Sequence, residues 1–250
     1  MGRSDVMVRV ISLRSASERR RRFCEMAETS IDWSFFEAHE DASSYLVDDL
    51  DCQRKTIRRE LSKGEIGCYS SHVAVWTEFL ASNASTLLVL EDDVIVDWAY
   101  VEFLLGTDLE LRGINYLRLF NKIPVRQKHV TSPFLSQYYH LVRNLKEPLG
   151  TQGYILTKRA AAVFQAKCKR ICRPIDGEID RSWVTGIPSL SIFPAPICER
   201  FAPSSIGEAR FSRAYDPGPI DFSRFKDVIS RELYNLSFKS SLILRKRKWL

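Results

Sequence analysis

The stretch from Leu87 to Ile95, Leu-Leu-Val-Leu-Glu-Asp-Asp-Val-Ile, constrains the fold more than any other part of the chain. Its four leading apolar residues read as a strand buried on both faces of a parallel sheet. They run directly into Glu91, Asp92 and Asp93. Three carboxylates cannot sit unpaired in a core, so the strand has to end here, at a cleft or at the surface. In open α/β sheets, ligands bind beyond the carboxyl ends of the strands. Side chains alternate along extended chain, which sends Glu91 and Asp93 to one side and Asp92 to the other. Such a cluster suits a hard divalent cation, Mn²⁺ or Mg²⁺. A solvated acidic turn closing the strand is the plainer alternative.

The flanking sequence supplies partners for this strand. Val8 to Leu13 reads as a first strand, followed by a helix capped at Ser17 and running to Ala27. Trp33 to Ala38 makes a second strand, whereas His39 to Arg59 shows no clean period and reads as a surface excursion. Ser62 and Glu65 form a capping box at the start of a helix. Its Ile66, Tyr69, Val73, Trp76 and Leu80 make one buried stripe, with Glu65, Cys68 and His72 on the neighbouring face. Beyond the acidic strand, the pattern predicts a helix over Trp98 to Leu105 and strands over Asn115 to Phe120 and Tyr138 to Val142. A Gly150-Thr-Gln-Gly turn then feeds a further strand, and Thr157 caps the next helix. A short helical segment spans Pro174 to Gly186, and Ser189 to Phe193 is a last strand. Strands alternating with helices give a single α/β domain with a Rossmann-like mixed sheet flanked by helices.

At 250 residues the chain is long enough for one such domain with a substantial core. It contains no run of about 18 apolar residues, and Met1 to Arg9 lacks the apolar centre of a signal peptide. The expected compartment is therefore the cytoplasm. Six cysteines without a Cys-x-x-Cys pair are expected to be reduced, with Cys168 and Cys172 placed to share a helix face. The net charge of +6 is uneven, gathered in Arg19 to Arg22 and in Arg245-Lys-Arg-Lys-Trp249. The second block follows Leu242-Ile-Leu244. It reads either as a peripheral contact with the anionic inner face of the cytoplasmic membrane or as a frayed terminus. No nucleic-acid-binding motif accompanies the charge, so nucleic acid is not an expected partner.

Four ordered motifs carry a resemblance. They are Leu61-Ser-x-Gly-Glu-x-Gly-Cys-x-x-Ser-His72-x-x-x-Trp76, Leu90-Glu-Asp-Asp93, Gly150-Thr-Gln-Gly-Tyr154 and Pro174-x-Asp176. Together they resemble glycosyltransferase family 25, which includes bacterial lipopolysaccharide and lipooligosaccharide sugar transferases, over roughly residues 8 to 208. The resemblance implies an A-type glycosyltransferase fold over 1–210; beyond it, the charge and apolar pattern make 211–250 a basic amphipathic tail. It implies a nucleotide-diphosphate sugar, UDP-linked, as donor, a glycolipid or oligosaccharide acceptor, and inversion at the anomeric carbon. Glu91-Asp92-Asp93 then stands where related enzymes carry an Asp-x-Asp motif, with Asp93 on the metal and Glu91 toward the ribose or a metal-bound water. Asp176 matches the position of the general base, and Asp180, one helical turn on, is the second choice; an ordinary helix cap is the alternative for Asp176. Ser12 and Arg14 would place the nucleotide, Arg19 would meet phosphate or stay solvated, and His72 would bond the donor or be structural. Thr151 and Gln152 would bond sugar hydroxyls, with Tyr154 or Trp183 stacking on the sugar. No histidine follows His140, so the histidine that often completes the metal site in A-type enzymes has no counterpart here.

Two other readings compete with a transferase. A phosphodiesterase or nucleotidyltransferase would use the carboxylates for a two-metal site, and would want further acids and histidines on other strands. A non-catalytic, membrane-associated binder would keep the fold around a decayed site.

Overall fold

The computed structural model describes residues 5–200 and 222–245. β1 (Val6–Ser12) leads through α1 (Ser17–Met26) to β2 (Ser34–Glu37). A peripheral pair, β3 (Val47–Asp48) and α2 (Leu50–Ile57), precedes α3 (Lys63–Ala81), the acidic strand β4 (Thr86–Glu91), β5 (Val94–Val96) and α4 (Trp98–Leu105). Next come β6 (Tyr116–Arg118), β7 (Gln127–Thr131), β8 (His140–Asn144), β9 (Gly153–Thr157), α5 (Lys158–Lys167) and β10 (Arg170–Ile171). The described chain closes with α6 (Ile175–Ile179), α7 (Ser182–Thr185), β11 (Leu190–Phe193), β12 (Ile197–Glu199) and α8 (Phe222–Arg245).

Among the described residues, eight strands form one mixed sheet in the order β2-β1-β4-β9-β6-β11-β8-β7. β1 pairs in parallel with β2 and β4, whereas β9 runs antiparallel between β4 and β6. β4 is thus central and buried on both faces. Leu87 and Val89 pack into the layer that contains Tyr69, Val73 and Trp76 of α3 and Phe164 of α5. Leu88 and Leu90 pack on the opposite face with Phe23 of α1 and Val101 and Leu104 of α4. Burying a leucine or valine side chain is worth about 1.5–3 kcal/mol. These four residues therefore hold the acidic turn at a fixed place between two packed layers.

Several elements depart from the sequence pattern. Ser17 is the first residue of α1, and Ala16 is its N-cap without a side-chain bond. Thr157 occupies the N-cap of α5, but its hydroxyl donates to Asn115 Oδ1 at 3.0 Å instead of to the helix. The His39 to Arg59 excursion contains β3 and α2, and the segment from Pro174 to Gly186 holds two short helices. β7 is an edge strand whose Gln-Lys-His-Val-Thr sequence has no apolar face to announce it. The cysteine reading is overturned as well. Cys52 and Cys172, 120 residues apart, form a disulfide beside the parallel β3–β10 pair. Cys168 is the buried C-cap of α5 and shares no helix with Cys172. Long-range pairing depends on the approach of two backbones, which spacing alone does not show. Of the basic cluster that closes the sequence, Lys246 to Trp249 lie outside the described residues.

Candidate active site

β1 and β4 end side by side, with Ile11 paired to Glu91. A cavity of about 380 Å³ opens beyond them, lined by Ser12, Arg19, His39, Lys63, Cys68 and His72 together with Glu91, Asp92 and Asp93. α3 forms its wall. The capping box is present, with Ser62 accepting from Glu65 N at 3.3 Å and Glu65 accepting from Ser62 N at 2.9 Å. Arg59 adds an ion pair to Glu65 at 2.6 Å. The loop after β2 is tied to the same helix, since Ser71 Oγ accepts from His39 N at 2.8 Å and Ser70 Oγ from Ser43 N at 3.2 Å. That loop lies so close to α3 that a Cβ on Gly67 would collide with the His39 carbonyl oxygen. The glycine of the Gly-Cys pair is thus required by close backbone approach.

The three carboxylates have different surroundings. Asp92 is buried and clamped: Ser12 Oγ donates to it at 2.6 Å and Arg19 pairs with it at 3.4 Å. Arg20 holds Ser12 in turn, donating to its hydroxyl at 3.0 Å and to its carbonyl at 2.8 Å. Burial pushes the Asp92 carboxyl up against the pull of Ser12 and Arg19. Glu91 accepts from Thr151 Oγ1 at 2.7 Å, and its backbone N–H donates to the Gln152 carbonyl at 3.0 Å. Burial opposes its ionisation, but His72, Thr151 and Lys122 hold its carboxyl below the usual range. Asp93 has no such support. Its Oδ1 is buried with no hydrogen-bond partner among the described residues, and burial, with Glu91, Asp92 and Glu199 nearby, pushes its carboxyl up to about 7.

His72 and Tyr154 are joined beneath the cavity. Trp76 Nε1 donates to the Tyr154 oxygen at 2.9 Å, and that hydroxyl lies 2.7 Å from His72 Nδ1. An indole N–H can only donate, so the phenol oxygen accepts from Trp76, and the arrangement that also gives the buried phenol proton a partner directs it to Nδ1. Nε2 then carries the ring proton. Among the described residues it has no hydrogen-bond partner, and it faces Glu91 Oε1 at 3.8 Å. Cys68, His72 and Glu91 bring potential ligand atoms within 4.8 Å of one another, and burial pushes the Cys68 thiol well up. A hard dication such as Mn²⁺ or Mg²⁺ takes oxygen ligands, and Glu91, Asp92 and Asp93 bring carboxylate oxygens to the same cavity.

The remaining predicted residues distribute as follows. Arg14 is exposed and lies off the cavity lining. Thr151 and Gln152 are buried behind Glu91, with Gln152 Nε2 reaching Glu199 at 3.4 Å. Tyr154 is buried and committed to His72 and Trp76, so its ring is not open to stack on a sugar. Trp183 is on α7, donating to Asp227 of α8 at 2.8 Å, away from the cavity. Asp176 is not a helix cap, because Pro174 takes that position. Its Oδ2 accepts from Gly150 N at 2.9 Å, and it sits close enough to Cys68 to raise that thiol. Gly150 needs its φ of +77°, a conformation side chains disfavour. Asp180 is fully enclosed by Arg118 at 2.9 Å, Tyr116 at 3.2 Å and Ser189 at 3.1 Å. Glu199 of β12 and Lys122 of the loop after β6, paired at 3.0 Å, flank the acidic cluster and had no sequence signal of their own.

Parallel strands thus end at an acidic turn, beside a cavity that carries an N–H donor and cations. The profile of "Glycosyltransferase family 25 (LPS biosynthesis protein)" matches residues 7–179, and the chain belongs to this family. It is similar to the lacto-N-neotetraose biosynthesis glycosyltransferase LgtE of Neisseria gonorrhoeae, at 30% identity over 170 residues, covering 62% of this chain and 58% of that protein. It is also similar to the lipooligosaccharide biosynthesis protein lex-1 of Haemophilus influenzae, at 33% identity over 111 residues, 41% of this chain and 36% of that protein. The chain thus spans between about a third and three fifths of the length of these relatives. A solved glycosyltransferase involved in glycosylation of the major capsid of PBCV-1 aligns with a TM-score of 0.33 and 13% identity, over 64% of this chain and 65% of that one.

Proposed function

We propose that this chain moves a hexose, galactose or glucose, from a UDP-sugar to a saccharide acceptor of the lipopolysaccharide core, inverting the anomeric carbon. The observation that carries the reading is Asp93, a half-buried carboxylate whose Oδ1 is buried and, among the described residues, unpaired, beside Glu91 on the cavity lining. A hard dication fits there, since it would answer both the orphaned oxygen and the crowding of negative charge. Asp93 and Glu91 would hold Mn²⁺ or Mg²⁺, which when bound stabilises the charge left on the nucleoside diphosphate.

The protein's own groups do the rest. Arg19 and Lys63 line the cavity and are the cations placed to meet a diphosphate there. His72 presents its Nε2–H inward, toward donor oxygens, and Thr151 keeps the Glu91 carboxylate aimed. Ser12 acts on the nucleotide end by clamping Asp92. Asp176 is the base in this reading, taking the proton of the attacking acceptor hydroxyl, while Asp180 is a structural partner of Arg118. The acceptor is part of a glycolipid, and a peripheral contact with an anionic membrane brings the two together.

Incubation with UDP-galactose and UDP-glucose, with and without Mn²⁺, tests the reading. Release of UDP that depends on Mn²⁺ and rises with a saccharide acceptor supports it. Release of UMP with sugar phosphate identifies a phosphodiesterase instead, and no turnover with any nucleotide sugar leaves a binding protein.

A further inference from the structure

α8 lies on the protein by its polar side. Asp227 accepts from Arg181 at 2.6 Å and from Trp183 at 2.8 Å, Arg231 pairs with Glu147 at 3.5 Å, and Asn235 donates to the Leu145 carbonyl at 3.2 Å. These residues share one face at helical spacing. The opposite face carries Phe225, Ile229, Leu233 and Leu236, flanked by Val228. Phe225, Leu233 and Leu236 are 62%, 61% and 57% exposed. An amphipathic helix ordinarily buries its apolar stripe against the core, so this one is inverted. A contiguous exposed apolar patch of this kind marks an interaction surface.

The end of the stripe opens onto a small basic cleft. Leu236 lines it with Lys128 of β7, Arg126 just before that strand and Lys146 just after β8, around about 90 Å³. Among the described residues, none of these three cations has an ion-pair partner at the 4.0 Å limit, although Glu232 lies in the same cleft. The sequence beyond the helix adds Lys246, Arg247, Lys248 and Trp249. No described helix is long and apolar enough to cross a membrane. Apolar side chains beside unpaired cations fit a surface that is apolar below and anionic above, which is the profile of an anionic lipid interface.

We propose that the outer face of α8 and the Arg126–Lys128–Lys146 cleft form one docking surface for an anionic lipid bilayer, with the apolar stripe entering the acyl boundary and the cleft holding lipid phosphate. The inference rests on the membrane contact proposed above and locates it. α8 is ion-paired to Arg181, next to the segment that carries Asp176, so docking would fix the acceptor side of the site relative to the membrane.

Sedimentation with vesicles of phosphatidylglycerol and phosphatidylethanolamine, against neutral phosphatidylcholine vesicles, tests this. The full chain is compared with Phe225→Ser/Ile229→Ser/Leu233→Ser and with Arg126→Gln/Lys128→Gln/Lys146→Gln. The intact chain is expected to bind the anionic vesicles only. The apolar variant should lose that binding, and each cation removed should lower partitioning about fivefold, from about 1 kcal/mol per charge near the surface. Circular dichroism and the melting temperature should be unchanged, since all six side chains lie outside the core. If the intact chain binds and both variants bind equally well, the surface is wrong and the basic tail alone carries the contact. If the intact chain ignores anionic vesicles, the membrane reading itself fails. A dimer that only the apolar variant abolishes would assign the face to a second copy of this chain.

Discussion

The Tyr154 hydroxyl stands 2.7 Å from His72 Nδ1, and this one contact sets which edge of the imidazole meets the cavity. Removing it by Tyr154→Phe leaves the Trp76 N–H buried without an acceptor, at a cost of about 1–3 kcal/mol in stability. It also frees His72 to exchange tautomers. Nitrogen NMR of the imidazole should show Nε2 protonated in the intact chain and a mixture in the variant. An unchanged tautomer in Tyr154→Phe would show that the phenol does not control the ring.

Glu65 closes the capping box and pairs with Arg59. Burial alone would raise its carboxyl, but Arg59 and the Ser62 N–H hold it below the ordinary 4.5. A depressed folded pKa gives stability that is present above the unfolded value and is lost as pH falls through the folded one. Glu65→Gln should therefore cost about 1–3 kcal/mol at neutral pH. The gap between the two proteins should stay level down to about pH 4.5 and shrink below it. Urea unfolding at a series of pH values reads this directly, and a gap that widens in acid contradicts the pairing.

Asp176 and Asp180 stand on one short segment and should part company on substitution. Asp176→Asn can keep the bond to Gly150 N, so its melting temperature should hold while turnover falls about 10²–10⁴-fold with donor affinity intact. Asp180→Ala strips the partner from the buried Arg118 guanidinium and should cost about 3–5 kcal/mol. Near-normal turnover in Asp176→Asn would move the base elsewhere.

Much of this was legible in the chain. Leu87 to Leu90 announced β4 because an apolar run before carboxylates leaves few alternatives, and the Ser62–Glu65 spacing is a local signal that α3 obeys. The failures are long-range. Asp180 and Asp176 look alike in sequence, and only the approach of Arg118 from β6 separates them. Gly150-Thr-Gln-Gly resembled a ligand loop, yet its Thr151 serves Glu91 from behind. Glu199 reaches the acidic cluster through the β12–β5 pair, and Cys172 reaches Cys52 through β10–β3, neither of which spacing encodes.

In the proposed function, Asp93 and Glu91 hold a divalent cation together with a nucleotide sugar. Calorimetric titration of UDP-galactose and UDP-glucose into the intact chain and into Asp93→Asn, each with and without Mn²⁺, tests it most directly. The intact chain should bind a donor much more tightly with Mn²⁺, and Asp93→Asn, folded to the same melting temperature or higher, should show no Mn²⁺ effect. Equal Mn²⁺-dependent binding by both proteins would contradict the claim.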